Sequence, residues 1–181
     1  LIDRVRDKYG IAVEVIFPDS QKVQDLTESH GVNPFYRSVE LRLACCNIRK
    51  VLPMEKALTG LDAWISGIRR SQSVTRANTK KIELDSKHDA KMKINPLADW
   101  TYSQVWDHIR DRDIPYSDLY DRGYTSIGCA PCTRSTSQDE GSRAGRWWWE
   151  GGVPKECGIH VTVDGVRSLK DIDPDGKPIE L

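Results

Sequence analysis

Two tight pairs of cysteines, far apart in the chain, constrain it more than any other feature. Cys45-Cys46 stands in one segment and Cys129-Ala-Pro-Cys132 in another, while a fifth cysteine lies in Glu156-Cys-Gly-Ile-His160. Four thiolates in two close pairs can enclose one soft metal centre. The fifth, Cys157, has glycines on both sides and is then left to react. Four cysteines that hold and one that attacks point to an enzyme. An odd number of cysteines also fits a secreted disulfide framework poorly.

The bulk numbers narrow the class. The 181 residues suit one domain with a sizeable core, and 27 basic residues balance 27 acidic ones. That balance argues against a broad nucleic-acid-binding surface and leaves room for a small anion pocket. No apolar run is long enough to span a bilayer, and nothing resembles a signal peptide, so a reducing cytoplasm is expected. The chain begins at Leu1 inside a helical pattern and reads as a fragment lacking its N-terminus.

Periodicity gives alternating helices and strands. Helices are expected over Leu1–Tyr9 with Gly10 as the stop, over 20–30, over 37–50 with the cysteine pair inside, and from Pro53 to Leu58. A further helix, capped by Asp99 or Thr101, runs to about Arg110 with Val105, Trp106 and Ile109 inward. Strands are expected at Ile11–Phe17, Asp62–Ser66 and Met92–Ile94, and residues 77–91 read as polar loop. This alternation predicts an α/β protein with a parallel sheet flanked by helices, Rossmann-like in form. Residues 1–150 would form the α/β domain and 151–181 a mobile C-terminal tail carrying Cys157.

The spacing of the cysteines bears on the metal. Cys-x-x-Cys alone is shared by zinc sites, iron–sulfur sites and redox pairs. Neighbouring helical residues diverge by about 100°, so Cys45 and Cys46 suit separate corners of a [4Fe–4S] cubane better than one tetrahedral zinc. Zinc, or buried cysteines without metal, are the alternatives. Lys50, one helical turn beyond Cys46, can offset thiolate charge and reach an anionic substrate, or be a solvated helix-end lysine. Lys155 and His160 can lower the Cys157 thiol pKa, and the flanking glycines allow it to swing; the alternative is an incidental exposed cysteine. Arg143 and Arg146, three apart, can bracket a sulfate or phosphate, and Arg69, Arg70 and Arg76 supply further guanidinium groups. Three consecutive tryptophans, Trp147 to Trp149, cannot share one face, so at least one is packing.

Together, Cys45-Cys46-Asn-Ile-Arg-Lys50, Gly67-Ile-Arg-Arg-Ser-Gln-Ser-Val-Thr-Arg76, Gly128-Cys-Ala-Pro-Cys-Thr133, Arg143-Ala-Gly-Arg-Trp-Trp-Trp-Glu150 and Glu156-Cys-Gly-Ile-His160 resemble the assimilatory adenylyl-sulfate (APS) reductases, the iron–sulfur branch of the PAPS reductase family. The resemblance runs from the first residue to about His160. It implies an adenine nucleotide alpha hydrolase-like sheet and a [4Fe–4S] cluster on Cys45, Cys46, Cys129 and Cys132. It also implies a thioredoxin- or glutaredoxin-dependent reduction of APS in sulfate assimilation and cysteine biosynthesis. Cys157 would attack the sulfur of APS to form a cysteine S-sulfonate and release AMP, and a dithiol would then release sulfite. Lys50, Arg76, Arg143, Arg146 and His160 would contact substrate. No nucleic acid or membrane partner is implied, and a homo-oligomer is compatible with the pattern. A reductase that also accepts PAPS, or a non-catalytic zinc or iron–sulfur module, is the competing expectation. The chain carries no Ser-Gly-Gly-x-Asp-Ser phosphate loop, which implies weak APS binding by these residues alone, and Val161 to Leu181 have no recognised counterpart.

Overall fold

The computed structural model of the protein describes residues 1–151 and 155–159. Local signals set its first helix ends. Helix α1 (Ile2–Tyr9) stops where Gly10 enters the left-handed region at φ 66°, its N–H bonding back to the Arg6 carbonyl. Asp19 caps α2 (Ser20–His30) by accepting from the Lys22 N–H. Ser38 does the same for α3 (Val39–Cys46), accepting from the Leu41 N–H.

The chain does not leave the helix after α3. Residues Asn47–Val51 form a π turn that runs directly into α4 (Leu52–Leu58), and the Leu52 N–H bonds the Asn47 carbonyl five residues back. Pro53 supplies the reason. It has no N–H to offer the Arg49 carbonyl, so the four-residue ladder breaks there and a widened turn absorbs the extra residue. The break expected between two helices is therefore a change of helical register.

Strands β1 (Ala63–Ile65), β2 (Ile82–Asp85) and β3 (Lys91–Ile94) pair in the order β1-β3-β2. The Met92 N–H bonds the Asp62 carbonyl at 3.1 Å and the Ser66 N–H bonds the Ile94 carbonyl at 2.9 Å. Both chains advance in the same direction, so β1 and β3 are parallel. β2 turns back into β3 through residues 86–90, where Asp89 and Ala90 both take positive φ (54° and 53°). The protein is thus α/β as expected, with β1 and β3 as a parallel pair in a sheet that is mixed because β2 runs back against β3, and β2 falls in the stretch read as loop. The expected strand at Ile11–Phe17 is not formed. Ile11, Val13, Val15 and Phe17 are exposed, and among the described residues no strand pairs with that segment. β-branched composition favours an extended chain, yet only a neighbour makes it a strand. Helix α5 (Tyr102–Asp111) follows, opened by a reciprocal Thr101–Gln104 capping box.

The chain divides into two compact units. The first comprises Leu1–Val15, Ile65–Glu83 and Lys93–Gly151; the second comprises Ile16–Trp64 and Leu84–Met92 with the described residues 155–159. In the first, Arg4 Nη2 donates to the Tyr116 carbonyl (2.6 Å) and pairs with Asp118 (2.7 Å), tying α1 down. Trp106 of α5 meets Tyr116 and Tyr120 edge-on at 5.0 and 5.3 Å. Asn95, with no exposed surface, pins the base of the Gly67–Arg76 loop. It accepts from Ser66 Oγ (2.5 Å) and donates to the Lys80 carbonyl (2.7 Å) and Glu83 Oε1 (3.1 Å). In the second unit, Leu26 of α2 packs on Ala44 of α3 and Ile48 of the π turn, with Val23 and Cys45 against them. Among the described residues no helix is long and apolar enough to cross a membrane.

Candidate active site

In the second unit, α3 and the π turn present one charged, thiol-bearing face. Arg42 and Cys46 are four residues apart and both buried, Arg42 completely. Burial pushes the Cys46 thiol up to about 12; Lys50 in the π turn and Arg42 pull against that shift, while the Cys157 and Cys45 thiols add to it. Cys157 therefore lies within electrostatic reach of Cys46. Arg42 Nη1 donates to the Glu156 carbonyl at 2.7 Å, and Lys87 Nζ donates to the Gly158 carbonyl at 2.9 Å. The result is a half-buried thiol held among cations beside a helix that carries two more cysteines.

In the first unit, hydrogen bonds order the loop after β1. The Arg70 N–H bonds the Ala98 carbonyl at 3.0 Å, and Ser71 Oγ donates to the Trp100 carbonyl at 3.2 Å. Arg70 is itself structural, donating from Nε to the Thr79 carbonyl (2.7 Å) and pairing with Asp99. Arg76 is buried and donates from Nη1 to Gln72 Oε1 at 2.6 Å. Arg69 lies close enough to Arg76 for like-charge repulsion, and burial is the main cause that lowers its pKa. Its Nε is buried without a hydrogen-bond partner among the described residues.

The Cys129–Cys132 turn is closed in the same unit by the Cys132 N–H on the Cys129 carbonyl (2.9 Å), with Thr133 Oγ1 donating to that same carbonyl (2.8 Å). The arginine–tryptophan run lies antiparallel against this turn. Thr133 bridges Arg146, the Arg134 N–H bonds the Gly145 carbonyl, and the Trp147 N–H bonds the Cys132 carbonyl. A Cβ on Gly145 would strike the Arg134 carbonyl, and one on Gly128 would strike the Arg146 guanidinium. Arg146 is buried, donates from Nη1 to the Ile127 carbonyl (3.2 Å), and lies over the Trp147 ring at 4.6 Å. Its Nε, like that of Arg69, is buried without a hydrogen-bond partner among the described residues. Trp147, at φ 42°, is fully packed, whereas Trp148 is exposed.

The predicted site residues thus fall into two groups. Cys45, Cys46, Lys50 and Cys157 share the second unit; Arg76, Cys129, Cys132, Arg143 and Arg146 share the first. His160 lies outside the described residues. Two residues escaped the sequence reading. Arg42 was detectable, since it lies one helical turn before Cys46 just as Lys50 lies one turn after. Lys87 had no signal, because only the β2–β3 turn brings it to the Cys157 segment.

Among the described residues, no three Cys, His, Asp or Glu side chains are assembled as a metal-binding group. The donor chemistry nevertheless fits thiolate ligation. None of the five cysteines is in a disulfide, Cys46 and Cys132 are buried, and the proton that burial keeps on Cys46 is what a metal would displace.

The chain matches the model of the phosphoadenosine phosphosulfate reductase domain over residues 1–135. It is 51% identical over 163 residues to an adenosine 5'-phosphosulfate reductase of Burkholderia cepacia, covering 90% of this chain and 65% of that protein. It is 47% identical to one of Allochromatium vinosum, covering 88% of this chain and 62% of the other. This chain therefore spans less than two thirds of the length of these relatives. Among solved structures, phosphoadenylyl-sulfate (PAPS) reductase from Candida auris, in a phosphate complex, is similar with a TM-score of 0.56 and 27% identity, covering 72% of this chain and 61% of that one. The chain belongs to the phosphoadenosine phosphosulfate reductase domain family.

Proposed function

We propose that this protein reduces adenosine 5'-phosphosulfate to sulfite and AMP, with Cys157 as the nucleophile. The observation that carries the reading is the Cys157 segment held in the second unit, where Lys50 and Arg42 bring positive charge to the neighbouring thiol of Cys46. Relatives named adenosine 5'-phosphosulfate reductase support the substrate. The Cys157 thiolate attacks the sulfur of APS, the sulfur–oxygen bond to AMP breaks, and AMP departs with the bonding pair, leaving Cys157 S-sulfonate. A thiolate of a thioredoxin- or glutaredoxin-type dithiol then attacks Cys157 Sγ and expels sulfite. The second thiol of the dithiol resolves the mixed disulfide, so the two electrons come from that partner.

Cys45, Cys46, Cys129 and Cys132 would hold a [4Fe–4S] cluster. When bound, such a cluster supplies a fixed electrostatic centre rather than the electrons of the reduction. Lys50 offsets negative charge beside Cys46 and favours an anionic ester nearby. Arg76, Arg143 and Arg146 bind sulfate and phosphate, with His160 as a further substrate contact, and the buried Nε atoms of Arg69 and Arg146 are donors suited to such an anion. Residues 1–150 would be the body and 151–181 the tail that delivers Cys157, in a cytoplasmic enzyme of sulfate assimilation and cysteine biosynthesis.

Incubation of anaerobically purified protein with APS and reduced thioredoxin tests this reading. AMP and sulfite should appear in equal amounts; a protein with four irons bound and neither product formed would contradict it. The likeness to a PAPS reductase raises PAPS as a second substrate, and competition between the two nucleotides separates the cases.

A further inference from the structure

The segment that carries Cys157 is bonded on both sides of the cysteine, and the two donors come from elements far apart in sequence. Arg42 reaches the Glu156 carbonyl from α3, and Lys87 reaches the Gly158 carbonyl from the β2–β3 turn, both through charged side chains. Glu156 and Gly158 are buried, while Cys157 between them is half-buried. Both acceptors are backbone oxygens, so the bonds fix the path of the chain rather than any side chain beside the thiol. Gly158, at φ 88°, supplies a turn that an L residue rarely adopts.

Lys87 is presented by a built platform. Its own N–H bonds Asp85 Oδ1 (3.2 Å), and Asp85 Oδ2 contacts His88 Nδ1 (2.8 Å). The His88 ring meets Trp64 edge-on at 5.8 Å, and Asp85 and His88 are both buried. An acid–imidazole pair buried beneath a turn needs a purpose, and orienting Lys87 toward the Cys157 segment provides one.

We infer that Arg42 and Lys87 form a two-point clip that positions Cys157 and meters its exposure. The inference rests on the reading of Cys157 as nucleophile. That reading asks one thiol to meet two partners of different size, a small activated sulfate and a dithiol borne on a whole protein. The clip holds the thiol half-sheltered for the first encounter and releases it for the second. Arg42 is fully buried and stays in place; half-buried Lys87, at the end of a flexible stem, is the member that lets go. Both are positioning residues.

Timed alkylation of the protein, without substrate, tests the clip. Lys87→Met and Lys87→Arg variants are treated with iodoacetamide and with a maleimide carrying a bulky polyethylene glycol, and modification at each cysteine is followed by mass spectrometry. Lys87→Met should raise the rate at Cys157 with the bulky reagent by roughly tenfold, the factor expected from losing one charged hydrogen bond. Cys129 should be unaffected, and Lys87→Arg, which restores a cationic donor, should return Cys157 to the slow rate. An unchanged rate at Cys157, or an equal rise at Cys129, overturns the proposal. Failure of the nucleophile reading shows separately, as absence of a sulfonate adduct on unmodified protein given APS.

Discussion

Cys46 and Glu140 show how single side chains convert burial and pairing into measurable behaviour. Burial holds the Cys46 thiol at about 12, so in metal-free protein at pH 8 it should react with iodoacetamide far more slowly than half-buried Cys129; comparable rates in a timed alkylation would contradict this. Lys50→Met removes the strongest cation acting on Cys46 and should cut APS turnover by roughly tenfold or more while leaving thermal stability nearly unchanged. Glu140 accepts from Arg134 and from the Ser137 N–H, which holds its carboxyl at about 2, below the ordinary 4.5. A lowered carboxyl pKa stabilises the folded state above about pH 4.5, and that contribution fades as pH falls toward 2. Glu140→Gln should therefore be less stable than the parent at pH 6, with the gap closing by pH 2 in circular-dichroism titrations; a constant gap would refute the pairing. At this scale the sequence was informative wherever helical spacing applies. Cys46 and Lys50 could be placed on one face from spacing alone, and Arg42 obeyed the same rule unnoticed. Lys87 could not be read, because only the β2–β3 turn defines its surroundings.

Elements carry the next layer of control. Pro53 sets the π turn that contains Lys50, so Pro53→Ala restores the missing N–H and lets the ladder return to α register. The variant should melt no lower than the parent, because the ladder gains the bond that proline denied it. A fall in melting temperature would sink this account of the turn. Asn95→Ala strips the base of the Gly67–Arg76 loop of its bonds to Ser66, Lys80 and Glu83 and should cost about 2–4 kcal/mol in denaturant unfolding. Helix ends were legible because Asp19, Ser38, Thr101 and Gly10 act locally. The sheet was less so: Ile82–Asp85 is a short strand hidden among charges, whereas Ile11–Phe17 has strand composition and no partner strand among the described residues.

For the whole molecule, family membership follows from the match over residues 1–135 and from 51% and 47% identity to two relatives, and the fold keeps Cys45 with Cys46 and Cys129 with Cys132 each within one unit. The class of fold was readable from alternating periodicities, but strand order and direction depend on long-range pairing that no local pattern encodes. The site divided in the same way. The residues proposed to do chemistry stand out in the sequence as cysteines and arginines, while the groups packed around them, Arg42, Asn95 and the Asp85–His88 pair, look like ordinary polar residues until packed. What unites the account is one thiol that accepts a sulfonate. The direct measurement is peptide mass spectrometry of protein incubated with APS in the absence of any dithiol. The account predicts a sulfonate on the peptide containing Cys157, lost on adding reduced thioredoxin and absent in Cys157→Ser; AMP released from APS with Cys157 left unmodified would contradict it.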